Sequence, residues 1–245
     1  MLKYFRICKG GALMKKLETV KLNTVSSTST YARENISSLS LPSLITADYQ
    51  TNGRGRQGKS FYSPADSGLY MTLAFEVQKP LPLITPAAAV AVCETIEEIS
   101  AIRPSIKWVN DIFLNGKKVC GILSEALILN GKTVYLIGIG INLTTSEFPK
   151  ELDIAGSLNL ETDKQLLAES ISNRILDFAQ NGNGELTVNE YRKRLFILGR
   201  EITFTENNKE YRATVKDINE FCNLIVELPD GNEKILSSGE ISIKI

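Results

Sequence analysis

Residues 106–142 read IKWVNDIFLNGKKVCGILSEALILNGKTVYLIGIGIN and carry two Asn-Gly pairs, Asn115-Gly116 and Asn130-Gly131. Asn-Gly between β-rich segments is a two-residue hairpin signal, because both central positions of the tight turn need a positive φ. The pairs divide the stretch into three strands, 106–114, 117–129 and 132–142, joined as an antiparallel meander. Glycines 121, 138 and 140 inside these strands mark close approach by a ligand or another backbone.

Parity gives the faces. With Asn115-Gly116 as the turn, Leu114 opposes Lys117 and Phe113 opposes Lys118, and faces alternate along each strand. Regular pairing therefore puts Lys107, Asp111 and Phe113 on the side of Lys118, with Asp111 one two-residue step, about 7 Å, from Lys118. The same count sends Asn142 to the other face, at a strand end. A solvated hairpin face would explain two lysines and an aspartate equally well. The very apolar flank Val119-Cys120-Gly121-Ile122-Leu123 argues instead that the sheet is covered.

Upstream, Ser26-Ser27-Thr28-Ser29-Thr30 precedes Tyr31-Ala32-Arg33-Glu34 and reads as a helix N-cap region. Strands are expected at 17–20, 44–49 and 69–77, and a helix from Thr85-Pro86 to Ser100 with proline at its first position. Between the second and third strands lies Gly53-Arg54-Gly55-Arg56-Gln57-Gly58-Lys59. Its glycines permit close backbone approach, and Arg54, Arg56 and Lys59 supply charge suited to phosphates or carboxylates. A solvated basic loop is the plain alternative. Downstream, Leu167, Ile171, Ile175 and Phe178 share a face of a helix over 162–180, broken at Asn181-Gly182-Asn183-Gly184 before a short helix over 188–198. Five short strands follow, at 202–205, 211–218, 224–227, 233–236 and 241–245, and suggest a small β-barrel. The domain organisation expected is an extension over 1–16, a main domain over 17–196 and the barrel over 197–245.

Composition excludes several chemistries. The 245 residues are 43% hydrophobic and 23% charged, with 28 Lys plus Arg against 28 Asp plus Glu, so no global field attracts nucleic acid or an anionic membrane. There is no histidine, which removes Ser-His-Asp and Cys-His nucleophile activation and the commonest transition-metal ligand. Cys8, Cys93, Cys120 and Cys222 are scattered without a CxxC pair and read as buried small hydrophobes of a reducing compartment. No stretch reaches the ~20 apolar residues of a membrane span. The basic segment 1–14 lacks the apolar core of a signal peptide, so the expected location is the cytoplasm.

Over about residues 17–245 the chain resembles the catalytic and C-terminal domains of bacterial biotin–protein ligases. The matching stretches are Ser27-Thr28, Gln50 to Gly58 with Ser63-Pro64, Lys107-Trp108-Val109-Asn110-Asp111, Lys118 to Leu123, Gly138 to Asn142, and Ser238-Gly239-Glu240-Ile241-Ser242. The resemblance implies an α/β (α+β) fold: a mixed-sheet, class II synthetase-like catalytic domain followed by an SH3-like barrel. It implies an AMP-forming ligase that makes biotinyl-5'-AMP from biotin and ATP with Mg²⁺. Biotin then passes to a lysine of a biotin carboxyl carrier protein or domain. It assigns biotin and adenylate binding to Ser27, Thr28, Ser29, Gln50, Gly53, Arg54, Gly55, Arg56, Lys118 and Gly121. ATP binding falls to Arg54, Arg56, Lys59, Asn110 and Asn142, and the chemistry to Lys118, Asp111, Lys107 and Arg54; metal ligands are unassigned. Ser29 stands where asparagine is usual, Val109 for proline and Phe61 for tryptophan. Too few residues precede the catalytic domain for the DNA-binding module of some relatives, so no DNA binding is expected. A homodimer through an edge strand fits by analogy. A lipoate-type ligase and a non-catalytic biotin sensor are the rival readings.

Overall fold

The computed structural model describes residues 17–207, 209–239 and 241–243. The expected extension over 1–16, with Cys8, and Glu240 of the closing motif lie outside the described residues.

The chain builds a mixed seven-stranded sheet and a separate antiparallel five-stranded sheet. Strand β1 (Glu18–Val25) runs into helix α1 (Thr28–Glu34), which returns the chain to β2 (Ser43–Gln50), parallel to β1. Ser27 caps α1 by accepting from the amide of Ser29, as the hydroxyl run predicts. The third strand, β3 (Gly68–Val77), lies antiparallel to β2. Helix α2 (Ile84–Ile99) is apolar nearly all round, with eleven buried residues, because it sits between the sheet and two further helices, α3 (Lys164–Asn181) and α4 (Gly184–Arg194). The opposite face carries α1 over a smaller cluster of Ala32, Ile45, Ala74, Val134 and Leu136.

The central meander forms, with β6 (Lys117–Leu129) and β7 (Lys132–Asn142) paired over their length. Both Asn-Gly pairs adopt positive φ at both positions, 50° and 77° in each case, which is the type I′ geometry that suits right-twisted strands. The first expected strand does not form as one piece. Residues 106–114 split into β4 (Ser105–Lys107) and β5 (Asp111–Leu114), which pair with each other so that Lys107 opposes Asp111. Tertiary bonds hold the reversal at 108–110. The Trp108 indole donates to Cys222 O (2.8 Å), Tyr191 donates to Val109 O (3.0 Å), and Asn110 Nδ2 donates to Ile122 O (2.8 Å). The sheet order is then β1-β2-β3-β7-β6-β5-β4.

The remaining elements depart from expectation in smaller ways. The first strand begins at Glu18 but runs on to Val25. Helix α4 starts four residues earlier than expected because Asn183 caps it, accepting from the amide of Leu186, so Gly184 lies inside its first turn. The C-terminal strands are β8 (Glu201–Glu206), β9 (Lys209–Ile218), β10 (Leu224–Glu227), β11 (Glu233–Leu236) and β12 (Ile241–Ile243), ordered β11-β10-β9-β8-β12. Among the described residues this ladder has two edges, β11 and β12, so the five expected strands form an antiparallel sheet without closing into a barrel. It is seated on the main body by Arg192, which pairs with Asp217 (2.7 Å) and donates to Ile218 O (3.0 Å). One apolar cluster runs through both sheets, joining Leu195 and Ile197 to Ile202, Phe204 and Val215.

Candidate active site

A cavity of about 440 Å³ opens where the N-terminus of α1, the end of β2, the glycine loop, the β4–β5 turn and strands β6 and β7 converge. Its floor is glycine. Gly121 and Gly140 are paired across β6 and β7, and the Phe61 ring lies on them, so that a Cβ at residue 140 would sit 2.4 Å from that ring. Gly138 yields in the same way to α1, with its missing Cβ 2.5 Å from Ser29 Oγ.

One wall is a chain of hydrogen bonds, buried at its Ser29–Thr72–Thr28 end and part-buried beyond it. Ser29 Oγ meets Thr72 Oγ1 (3.1 Å), Thr72 donates to Thr28 Oγ1 (2.9 Å), and the Thr28 amide and hydroxyl both donate to Gln50 Oε1 (2.9 and 3.2 Å). Gln50 Nε2 then donates to Ser63 Oγ (2.8 Å), which donates to Phe61 O (2.9 Å). Each hydroxyl has a single proton, so the order fixes Ser29 as donor to Thr72. This chain ties α1 to the base of the glycine loop.

The loop is a small closed ring. Gly55 N–H donates to Lys59 O (2.7 Å), Phe61 N–H donates to Gly53 O (2.8 Å), and Arg54 bridges Ser60. Arg56 reaches across to donate to Asn110 Oδ1 (2.9 Å) and to Gly239 O of the C-terminal sheet (3.5 Å). Gly53 does not line the cavity, against expectation. A Cβ there would meet Phe61 O at 2.4 Å and Ser63 Oγ at 2.7 Å, so glycine is required for packing rather than for ligand access. Arg54 does line it, but both terminal nitrogens fork onto Glu125 at 3.0 Å.

On the other wall the Lys118 ammonium lies 2.7 Å from Asp111 Oδ1, which also accepts from Asn110 Nδ2 (3.2 Å). Asp111 opposes Gly121, and Lys118 opposes Phe113 after a bulge at Ile112/Phe113. The lysine stem spans the two-residue step. Parity correctly brings Lys107, Asp111 and Lys118 to the cavity; Phe113, on the same side, does not line it but lies under the Lys107 ammonium (6.0 Å to the ring centroid) and packs on Phe196 with ring centroids 5.3 Å apart. Asn142, expected on the opposite face, lines the cavity too. It is 4% exposed, its Nδ2 donates to Gly156 O (2.9 Å), and its Oδ1 has no partner.

Ser27, Thr28, Ser29, Gln50, Arg54, Gly55, Arg56, Lys59, Lys107, Asn110, Asp111, Lys118, Gly121 and Asn142 thus all line this one cavity. Sequence reading missed the strap over residues 148–155, which pairs along the start of β6: Lys118 N–H donates to Ile154 O (2.7 Å) and Gly156 N–H to Lys118 O (2.9 Å). It also missed Tyr62 against Phe148 (6.1 Å), and it singled out Gly239, Ile241 and Ser242 without placing them at the cavity's C-terminal rim. Irregular chain leaves no periodicity to read. Five cations line the cavity with three carboxylates, those of Asp111, Glu151 and Asp153, so it is built for anions.

Residues 22–143 match the biotin/lipoate A/B protein ligase family, and residues 197–244 match the biotin protein ligase C-terminal domain. The chain belongs to the biotin–protein ligase family. Among relatives of that family, it is 41% identical over 140 residues to the bifunctional ligase/repressor BirA of Bacillus subtilis, covering 54% of this chain and 43% of that protein. The match therefore spans less than half of that relative's length. The Escherichia coli BirA is 27% identical over 244 residues, covering 91% of this chain and 73% of the relative. A biotin protein ligase from Aquifex aeolicus, solved in complex with biotin and ATP, superposes with a TM-score of 0.76 at 27% identity, covering 93% of this chain and 98% of that one. No helix among the described residues is long and apolar enough to cross a membrane.

Proposed function

We propose that this chain activates biotin with ATP to biotinyl-5'-AMP and transfers the biotinyl group to a lysine of a carboxyl carrier protein or domain. The observation that carries the reading is the Lys118–Asp111 pair beside the glycine floor of a cavity that also holds Arg56, Lys59 and Lys107. In the first step a biotin carboxylate oxygen bonds to the α-phosphorus and the bond to pyrophosphate breaks. The nucleophile is already an anion, so no histidine is needed; the barrier is charge repulsion, which preorganised cations lower. Lys118, Arg56, Lys59 and Lys107 are the groups for that task. Arg54 serves at the rim, since Glu125 takes up its charge. The unpaired Asn142 Oδ1 needs a donor, and the exocyclic amine of adenine is one that ATP offers. Mg²⁺ would arrive on the phosphates of ATP, because no group of three or more Cys, Asp or Glu side chains converges into a cation cage among the described residues.

In the second step the acceptor amine bonds to the adenylate carbonyl and AMP leaves. A lysine of pKa about 10.4 costs about 4.6 kcal/mol to deprotonate at pH 7. Asp111 is the group to take that proton, once the adenylate phosphate draws Lys118 from it. Residues 17–196 then form the catalytic domain on a class II synthetase-like sheet, and 197–245 an SH3-like unit whose Gly239 and Ile241 complete the rim. A homodimer would pair along a free edge of the larger sheet.

Pyrophosphate release with ATP and Mg²⁺, compared for biotin, lipoate and octanoate, tests the reading. Release stimulated by biotin alone is expected. Stimulation by lipoate or octanoate instead would move the chain to lipoate-type chemistry, and tight biotin binding without release would make it a sensor.

A further inference from the structure

One carboxylate outside the cavity binds two of the elements that form its walls. Glu125 stands on β6 two and four residues beyond Leu123 and Gly121, on the face those residues turn to the cavity. Its Oε1 lies 2.6 Å from Arg33 Nη2 of α1 and 3.0 Å from Arg54 Nη2, and its Oε2 accepts from Arg54 Nη1 at 3.0 Å. The Glu125 side chain is 16% exposed, against 40% for Arg33 and 37% for Arg54. Isolated exposed ion pairs contribute little, but a bidentate fork inside a three-membered network is the geometry that does contribute. The partners matter more than the pair. Arg33 is on the helix that brings Ser27, Thr28 and Ser29 to the cavity, and Arg54 opens the ring that closes at Ser60.

We propose that Glu125 is a positioning residue, which fixes the base of the glycine loop through Arg54 and so sets where residues 55–59 meet the ligand. Arg33 keeps the carboxylate neutralised, so the clamp carries a net positive charge at the rim and does not repel an anionic substrate. The kinetic consequence rests on the ligase reading; the mechanical one does not.

Trypsin reads the mechanical part in the whole, ligand-free protein, because it must capture the Arg54 side chain to cut the Arg54–Gly55 bond. Glu125→Gln should speed that cut about tenfold, with other sites and the melting temperature unchanged, while Arg33→Gln changes it about twofold or less. In pyrophosphate release, Glu125→Gln should raise KM for ATP and biotin about tenfold and leave kcat within about threefold. The double variant with Arg54→Gln should be no worse than Arg54→Gln alone. Unchanged cutting at Arg54 overturns the proposal. So does faster cutting at every site with a lowered melting temperature, which marks a purely structural carboxylate, and so does an unmoved KM in an active enzyme. Cutting as expected in a protein whose wild type releases no pyrophosphate with biotin upholds the clamp and rejects the ligase reading.

Discussion

Replacing Gly138 by alanine probes the hydroxyl chain at its buried end. The new methyl would lie 2.5 Å from Ser29 Oγ, whereas its next neighbours, Leu123 O and Cβ, stand at 3.6 and 3.7 Å, which is ordinary contact. The conflict is therefore with one atom. Ser29 is 4% exposed and its hydroxyl donates to Thr72, so moving it breaks a buried bond and strips Thr72 of a donor. Losing that bond, or shifting α1 to keep it, costs about 2 kcal/mol. For a chain of this size that lowers the melting temperature by about 4–8 °C. The biotin KM should rise with it, since Thr28 and Gln50 belong to the same chain. A double-mutant cycle isolates the cause. With Ser29→Ala in place the methyl has no close neighbour, and alanine in a strand is intrinsically better than glycine by about 0.5–1 kcal/mol. Gly138→Ala should then be neutral or stabilising in that background, measured by urea denaturation. Costs that add to within about 0.5 kcal/mol in the two backgrounds would refute the clash and the chain built on it.

Lys118→Ala should reduce biotin-dependent pyrophosphate release at least about 100-fold, since it removes the cation paired with Asp111 in the cavity; near-normal adenylate synthesis would remove Lys118 from the mechanism. Asp111→Asn should slow acceptor biotinylation about 100-fold while adenylate formation stays within about tenfold, and equal losses in single-turnover assays of the two steps would reject the base assignment. Burial pushes the Cys93 and Cys222 thiols up to about 12 and raises Cys120 well above the usual thiol range. A raised pKa leaves the thiolate scarce at pH 8, so peptide mapping after brief iodoacetamide treatment of the native protein should find all three unmodified. Labelling of any of them without denaturant would show that its surroundings open.

The parts of the fold legible in the sequence are those where one local rule acts alone. Asn115-Gly116 and Asn130-Gly131 demand positive φ at two successive residues, and few backbones other than a tight hairpin satisfy that. Ser27 at the head of α1 is legible for a similar reason, since a hydroxyl before a helix has a free amide to cap. The reversal at 108–110 is not. Lys107, Trp108 and Val109 read as continuous strand, and what bends them is a carbonyl at Cys222 and a phenol at Tyr191, far along the chain. The small C-terminal barrel is a different case: its five strands were placed to within about three residues over the described residues, but strand count alone does not fix how the sheet closes.

The site was read better than the strand that carries it, and the physics explains why. Lys107 and Asp111 share a face both in a straight strand, where they are four residues apart, and across a tight hairpin, where they are directly opposed, so parity cannot distinguish the two and does not need to. The bulge at Ile112/Phe113 shifts the register by one residue, so Asp111 opposes Gly121, while Phe113 keeps its place opposite Lys118 and packs between Lys107 and Phe196; Lys118 is held by a bridge to the strap at Ala155. The lysine stem is long enough to make up the remaining step to Asp111. Glu125 shows the converse limit. Its alternation with Leu123 and Gly121 is visible in the sequence, but an alternating glutamate on a hairpin is ordinary until two arginines from α1 and the glycine loop are seen to meet it. A charge acquires a role from what lies within about 3 Å, and for partners 71 and 92 residues away only the folded chain supplies that distance.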